Sequence, residues 1–98
     1  MKIVLGEKND KNLLFAEEIG GILASEICGI KHLKQLVDIY IPYNKILDNG
    51  FVENTNVYLE EVLLVMKINK IYYAGKLTNY ITEIKKIYHV EIYTDLSV

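Results

Sequence analysis

Apolar residues recur along the chain at spacings that divide it into helical and extended segments. Between residues 12 and 28, and again in 31–40 and 60–68, they fall three and four positions apart, which predicts amphipathic helices. Residues 77–88 show the same spacing most clearly, with Thr78 or Asn79 as the predicted cap. Pro42 is expected to interrupt or kink the second of these helices, because proline removes a backbone donor. The pattern therefore predicts a chain dominated by helices.

Short extended segments stand at both ends of the chain. Residues 1–5 and 90–93 predict strands, whereas residues 71–75 fit either a short strand or a short helix. Asp48-Asn49-Gly50 is the strongest turn signal. Residues 51–52 and 56–59 flank a polar tip and predict a small hairpin. The pair Gly20-Gly21 indicates either a break between two short helices or a close helix contact.

Two fold classes follow from these elements. The first is an α+β, helix-rich single domain over residues 1–98, with the N-terminal strand pairing near the C-terminal one. The second is a small parallel α/β sandwich, in which strands at 2–5, 37–41, 71–74 and 90–93 alternate with helices. The choice depends on whether residues 71–74 form a strand or a helix.

Composition narrows the function classes. The longest stretch without a charge covers residues 19–25, far short of the roughly 20 apolar residues that span a bilayer. With no signal peptide visible, we expect a folded, soluble, cytoplasmic domain without membrane partners. Cys28 is the only cysteine, and His32 and His89 lie far apart without a carboxylate motif. No disulfide, metal site, cofactor or catalytic set is therefore predicted, and the chain is not expected to be an enzyme.

Charge is unevenly distributed along the chain, which has eleven Lys and no Arg. Residues 1–66 carry six Lys and ten acidic residues, net −4, whereas residues 67–90 carry five Lys and one Glu, net +4. This asymmetry has two interpretations. Either one face attracts phosphate groups, or positive and negative residues are separated along a solvated surface by chance. Without Arg, bidentate recognition of guanine is excluded, so Lys would contact phosphate and Asn, Gln or Thr would contact bases.

Two segments resemble winged helix-turn-helix DNA-binding domains. Residues 25–30 followed by 31–40 look like the short helix, turn and recognition helix, although Pro42 and a longer spacing depart from the usual pattern. Residues 44–59 resemble the end of the recognition helix and the wing. Together they are similar to the small winged-helix adaptors of phages and plasmids, in particular the TubR-type centromere-binding proteins of tubulin-like partition systems. The resemblance implies a homodimer that coats double-stranded DNA and recruits a filament-forming GTPase.

Sequence-selective DNA binding, as a partition adaptor or a transcriptional regulator, is accordingly the first functional hypothesis. Lysines would hold phosphates, Gln35 and Asn79 are the candidate base contacts, and Asn54 lies at the wing tip. The predicted DNA-binding residues are Lys31, Lys34, Gln35, Lys45, Asn54, Lys76, Asn79, Lys85 and Lys86.

Other hypotheses stay open. The N-terminus resembles the opening of a TOPRIM nucleotidyl-transfer domain, in which Glu7 would be the glutamate after the first strand. The Asp-x-Asp pair of that family is missing, which argues against metal-dependent catalysis. In the parallel α/β alternative, residues 74–78 form a strand-to-helix turn able to hold an anion. The second functional hypothesis is a non-enzymatic interaction module, such as a phage-encoded inhibitor, whose Tyr-rich acidic N-terminal region docks on a basic protein. The third is an enzyme with a small α/β pocket, for which the sequence offers no clear nucleophile, base or metal set.

Overall fold

A computed structural model describes residues 1–26 and 35–96 of the chain. The strands are Lys2–Val4 (β1), Ile22–Leu23 (β2), Leu36–Ile41 (β3), Lys67–Tyr73 (β4) and Glu91–Tyr93 (β5). The α-helices are Asp10–Ile19 (α1), Leu59–Val65 (α2) and Asn79–Tyr88 (α3), and Ala24–Glu26 form a 3₁₀ turn. Strands and helices alternate along most of the chain.

All five strands are parallel and form one sheet in the order β2-β1-β3-β4-β5. Parallel neighbours need a crossover connection, and α1, α2 and α3 supply those between β1 and β2, β3 and β4, and β4 and β5. Helix α1 packs on one face of the sheet, and α2 and α3 pack on the other. The predicted helix-rich winged-helix fold is therefore wrong, and the parallel α/β alternative is the fold observed.

The central strand β3 replaces much of the helix predicted over residues 31–40. It pairs with β1 on one side and β4 on the other, and four of its six residues are buried. Val37, Ile39 and Ile41 are fully buried on one face and Tyr40 on the other. The apolar residues on either side of Asp38 satisfy helical spacing by coincidence, whereas the β-branched residues among them favour a strand.

The two consecutive glycines end α1 and start the return to the sheet. Gly20 adopts a left-handed conformation with φ 68°, and Gly21 N–H donates to Ala16 O at 2.8 Å. A Cβ at Gly21 would lie 2.8 Å from Lys2 O, so only glycine allows β2 to approach β1 this closely. The helix predicted over residues 12–28 therefore stops at Ile19, and Ile22–Leu23 is the edge strand β2.

Strand β4 settles the ambiguous segment around residue 71. Lys67–Tyr73 is extended and lies between β3 and β5, so the helix predicted over residues 60–68 ends at Val65. The predicted pairing of the N- and C-terminal strands is also wrong, because β3 and β4 separate β1 from β5. Strand β5 and helix α3 agree with the sequence pattern. Thr78 caps α3, because its Oγ1 accepts from Ile81 N–H.

The two faces of the sheet carry cores of different character. The α2/α3 face is aliphatic and includes Ile3, Leu5, Ile71 and Ile84. The α1 face is smaller and aromatic: the Tyr40 and Tyr72 rings stack with centroids 4.4 Å apart, and those of Tyr72 and Tyr93 lie 5.2 Å apart. Within the described ranges, no helix has the length and apolarity to cross a bilayer.

The buried tyrosine of β3 makes stability sensitive to alkaline pH. Burial raises the pKa of Tyr40 to about 12, and the adjacent Tyr72 adds to the effect. Because a tyrosine in the unfolded chain has a pKa of about 10, the unfolded state loses its proton first as pH rises. We expect the Tyr40 contribution to be complete below about pH 9 and lost between about pH 10 and 12, on the order of 1 kcal/mol.

Urea unfolding as a function of pH, in wild type and Tyr40→Phe, measures this contribution. Tyr40→Phe should flatten part of the alkaline decline, whereas Tyr43→Phe, which removes a hydroxyl from a side chain that is 58% exposed, should leave the decline as it is. An unchanged alkaline slope in Tyr40→Phe would contradict the assignment.

Candidate functional site

The carboxyl ends of β1 and β3 diverge at the centre of the sheet. From β1 the chain crosses to β2 on one side, and it then returns to β3 on the other side of β1. In open parallel sheets this reversal of strand order leaves a crevice outside the carboxyl ends, where ligands bind. The segments that leave the sheet here are residues 5–9 after β1 and 42–58 after β3.

The segment after β3 is a twice-folded loop rather than the wing of a winged helix. Leu47 N–H donates to Phe51 O at 2.9 Å around the predicted Asp48-Asn49-Gly50 turn, and Gly50 has φ 85°. Val52 N–H then donates to Val57 O at 2.9 Å, which forms the predicted second hairpin. The tip of that hairpin is Asn54, in a left-handed conformation with φ 60°.

The loop is fixed to both neighbouring elements. Ile46 N–H donates to the buried Tyr73 hydroxyl at 3.3 Å, which holds the loop on the carboxyl end of β4. A Cβ at Gly50 would overlap the Tyr80 hydroxyl, so the turn lies directly against α3. Burial, with the negative charge of Glu60 second, raises the pKa of Tyr80 to about 12.

Two asparagine side chains join the loops after β1 and β3. Asn12, fully buried in the first turns of α1, donates from Nδ2 to Glu7 O at 2.7 Å and to Asn44 Oδ1 at 3.3 Å. Asn44, also buried, donates from Nδ2 to Glu53 O at 2.8 Å. A Cβ at Gly6 would overlap Asn44 Oδ1 and lie 2.8 Å from Asn12 Nδ2. This Asn12–Asn44–Gly6 cluster fixes the two loops relative to each other.

A cleft of about 300 Å³ lies beside this cluster, and we call it the switch-point cleft. Its apolar lining comes from Ile3, Leu5, Ala24, Val57, Val62 and Met66. Its polar lining comes from Gly6, Glu7, Lys8, Ser25, Asn54, Thr55 and Asn56. At the rim, Lys8 Nζ lies 3.0 Å from Glu26 Oε1. The cleft thus combines an apolar wall with hydrogen-bonding groups, which is typical of small-molecule sites.

A second, more open cleft of about 380 Å³ lies at the carboxyl ends of β3 and β4. Lys45 and Lys76 line it together with Glu53, Gly75 and Thr78. A Cβ at Gly75 would overlap the Tyr73 ring, so the β4–α3 turn runs close to the sheet. Residues 74–78 do form the strand-to-helix turn of the parallel alternative.

The residues predicted to bind DNA do not share one surface. Those at the carboxyl edge of the sheet are Lys45, Asn54, Lys76 and Asn79. Those at the opposite, amino edge are Gln35, Lys85 and Lys86, because α3 runs antiparallel to the strands and ends where β5 begins. Lys31 and Lys34 lie outside the described residues. Asn54 lines the switch-point cleft, and Lys45 and Lys76 line the second cleft.

The sequence hypotheses missed the groups that shape the cleft. Asn12, Asn44 and Gly6 are distant in sequence and carry no shared motif, although Asn12 stands out as the polar residue on the inward side of α1. Glu7, singled out by position after the first strand, does line the cleft. Within residues 1–26 and 35–96, no group of three His, Cys, Asp or Glu residues could hold a metal ion.

Strand order and cleft together define a doubly wound α/β domain with a cleft at its switch point. The order 2-1-3-4-5 is that of flavodoxin-like sheets. Comparison with protein-family models, with curated proteins and with solved structures finds no match for the chain. Function is therefore inferred from the site itself, since one fold supports many activities.

Gly6→Ala tests the packing of the asparagine cluster. The new methyl group would collide with the Asn44 amide, and we expect a loss of about 1–3 kcal/mol in the free energy of unfolding. Asn44→Ala removes the nearest obstacle, so the glycine substitution should cost less in that background. Denaturant unfolding of wild type, the two single variants and the double variant measures the coupling between positions 6 and 44. Additive losses of stability would contradict the predicted collision.

Proposed function

We propose that this domain binds a small organic molecule in the switch-point cleft. The observation that carries the proposal is the position of the cleft: the loops that leave β1 and β3 where the strand order reverses both line it, together with the segment after β2 and helix α2. The physical basis is that parallel strands end together there, so loops with free polar groups surround a gap that the sheet cannot fill.

The lining indicates the chemistry of the ligand. Val57, Val62 and Met66 offer an apolar surface on one side, and Ser25, Asn54 and Asn56 offer neutral hydrogen-bonding groups at the mouth. Lys8 and Glu7 supply one charge of each sign. These groups fit a compact molecule with an apolar body and polar or charged substituents.

The site is held open by the protein's own hydrogen bonds. The Asn44 bond to Glu53 O fixes the loop after β3, and the Asn12 bond to Glu7 O fixes the loop after β1. Binding would therefore require little reordering of backbone, which reduces its entropic cost. The proposal is binding and not catalysis, because among the described lining residues Glu7 is the one carboxylate, with no Cys or His.

A panel of small carboxylic acids, amino acids and mononucleotides, titrated into ¹⁵N-labelled protein, tests the proposal. We expect at least one class to shift the backbone amides of Gly6, Glu7 and Val57, which line the cleft. Ser25→Trp, at an exposed lining position, should fill the mouth and weaken that binding at least tenfold.

Thr82→Trp provides the matched control, because it adds the same side chain at an exposed position on α3 away from the cleft. This control should bind like wild type. Absence of shifts for every class, or shifts confined to residues outside the cleft and insensitive to Ser25→Trp, would contradict the proposal.

Double-stranded DNA binding is the second candidate function. The observation that favours it is that Lys45 and Lys76, from different loops, line one groove at the carboxyl edge. The groove would contact phosphates, since lysine acts as a point charge and the chain has no Arg. The partition role, the GTPase partner and the phage or plasmid context stay predictions from the sequence resemblance.

Fluorescence polarisation with labelled duplexes across a salt series distinguishes this candidate. If the carboxyl-edge groove contacts DNA, Lys45→Glu with Lys76→Glu should weaken binding and flatten the salt dependence by about 0.9 per lost phosphate contact. Lys85→Glu with Lys86→Glu, at the amino edge, makes the same charge change and should have little effect. Equal losses in both pairs, or no binding at low salt, would count against this groove.

A further inference from the structure

No helix of the described residues packs over one part of the sheet. On the α1 side of β4 and β5, the strands present Lys70 and Glu91 in one row and Tyr72 and Tyr93 in the next, and we call these four residues the open face. Lys70 and Tyr72 are half-buried, Glu91 is exposed, and Tyr93 is 41% exposed. Side chains on the opposite side of the same strands are covered by α2 and α3.

Helix α1 leaves this face uncovered because it lies over the other half of the sheet. Its sheet contacts are chiefly with β1 and β2, and its Phe15 ring extends only as far as Tyr40 of β3, at a centroid distance of 6.0 Å. Parallel sheets are normally covered on both faces. The aromatic row on β4 and β5 therefore lacks a covering helix, and Leu96, after β5, is the described residue of the C-terminal segment that packs into the Tyr40 cluster on this side.

The charges on this side of the sheet alternate in sign from strand to strand. Lys2, Asp38, Lys70 and Glu91 are register neighbours in that order across β1, β3, β4 and β5. Within residues 1–26 and 35–96, no ion pair joins them; Lys70 Nζ lies 6.0 Å from the centroid of the Tyr93 ring, and Glu91 Oε2 accepts from the Tyr93 hydroxyl at 2.7 Å. The Lys70 and Glu91 charges remain accessible.

We propose that the open face binds a second copy of this chain in a two-fold symmetric dimer, with Lys70 of each copy opposite the partner's Glu91. The axis runs along the strands, midway between β4 and β5, so each β4 faces the partner's β5. Tyr72 then packs against the partner's Tyr93. The two-fold rotation exchanges the positions of β4 and β5, so in one row each charge meets the opposite charge and in the next row each tyrosine meets a tyrosine. A two-fold interface requires this self-complementarity.

The charge pattern selects this axis over its neighbours. An axis centred on β4 would place Lys70 on the partner's Lys70, and one centred on β5 would oppose the two Glu91 side chains. An axis between β3 and β4 restores opposite charges but would bring the partner's β5 over β1, where α1 already packs. The axis between β4 and β5 is the one that satisfies both charge and space.

Sedimentation velocity over a range of protein concentrations tests for the dimer. Wild type should show a reversible monomer–dimer equilibrium. Lys70→Glu and Glu91→Lys should each weaken the dimer at least tenfold, because each places like charges opposite one another twice. Lys85→Glu and Glu83→Lys make the same charge changes at exposed positions of α3 and should leave the equilibrium unchanged.

Mixing the two open-face variants is the decisive measurement. A Lys70→Glu copy opposite a Glu91→Lys copy has an opposite-charge pair at both contacts, so the mixture should form a heterodimer that neither variant forms alone. This restoration also shows that both variants are folded. A monomeric wild type at all concentrations, a dimer that survives both reversals, or a mixture that stays monomeric would each overturn the proposal.

Discussion

The constraint that organises this domain is that β3 is paired on both edges and largely buried on both faces. Tyr40 and Ile41 are buried on opposite sides of the strand, and β1 and β4 satisfy its backbone groups. An all-parallel sheet built around such a strand cannot use tight hairpins between its members, so long connections must pass over its faces. The helices, the two unequal cores and the long loop after β3 are consequences of that constraint.

The candidate site follows from the same constraint. A sheet that grows in both directions from its centre must reverse strand order once, and the gap at that reversal lies between the loops after β1 and β3. Asn12 and Asn44 convert the gap into a defined cleft, because their amides bridge loops that no backbone pairing connects. The glycine at position 6 leaves the space that these amides occupy.

The helices differ in how well their sequence patterns located them. The apolar spacing was sufficient to predict α3, since an exposed amphipathic helix carries its own period of 3.6 residues, and of the two predicted caps, Thr78 and Asn79, Thr78 is the one observed. The turn at Gly50 was equally local, because glycine readily provides the positive φ that the turn requires. The helix predicted over residues 31–40 was wrong where β3 forms. Asp38 is the one charged residue of this largely buried strand, so the segment shows no regular alternation of apolar and polar positions. The winged-helix resemblance depended on that segment being a helix.

By itself, the sequence determined the local elements: the amphipathic helix α3, the turn at Gly50 and the short strand at each end. These are decided by backbone preferences and by hydrogen bonds within a few residues. Tertiary structure alone decided which apolar runs became strands, their parallel order and the meeting of Gly6, Asn12 and Asn44. It also separated the lysines of the basic segment between two edges of the sheet. Those outcomes depend on pairing between distant residues, whose energetic gain exists only once the whole sheet has formed.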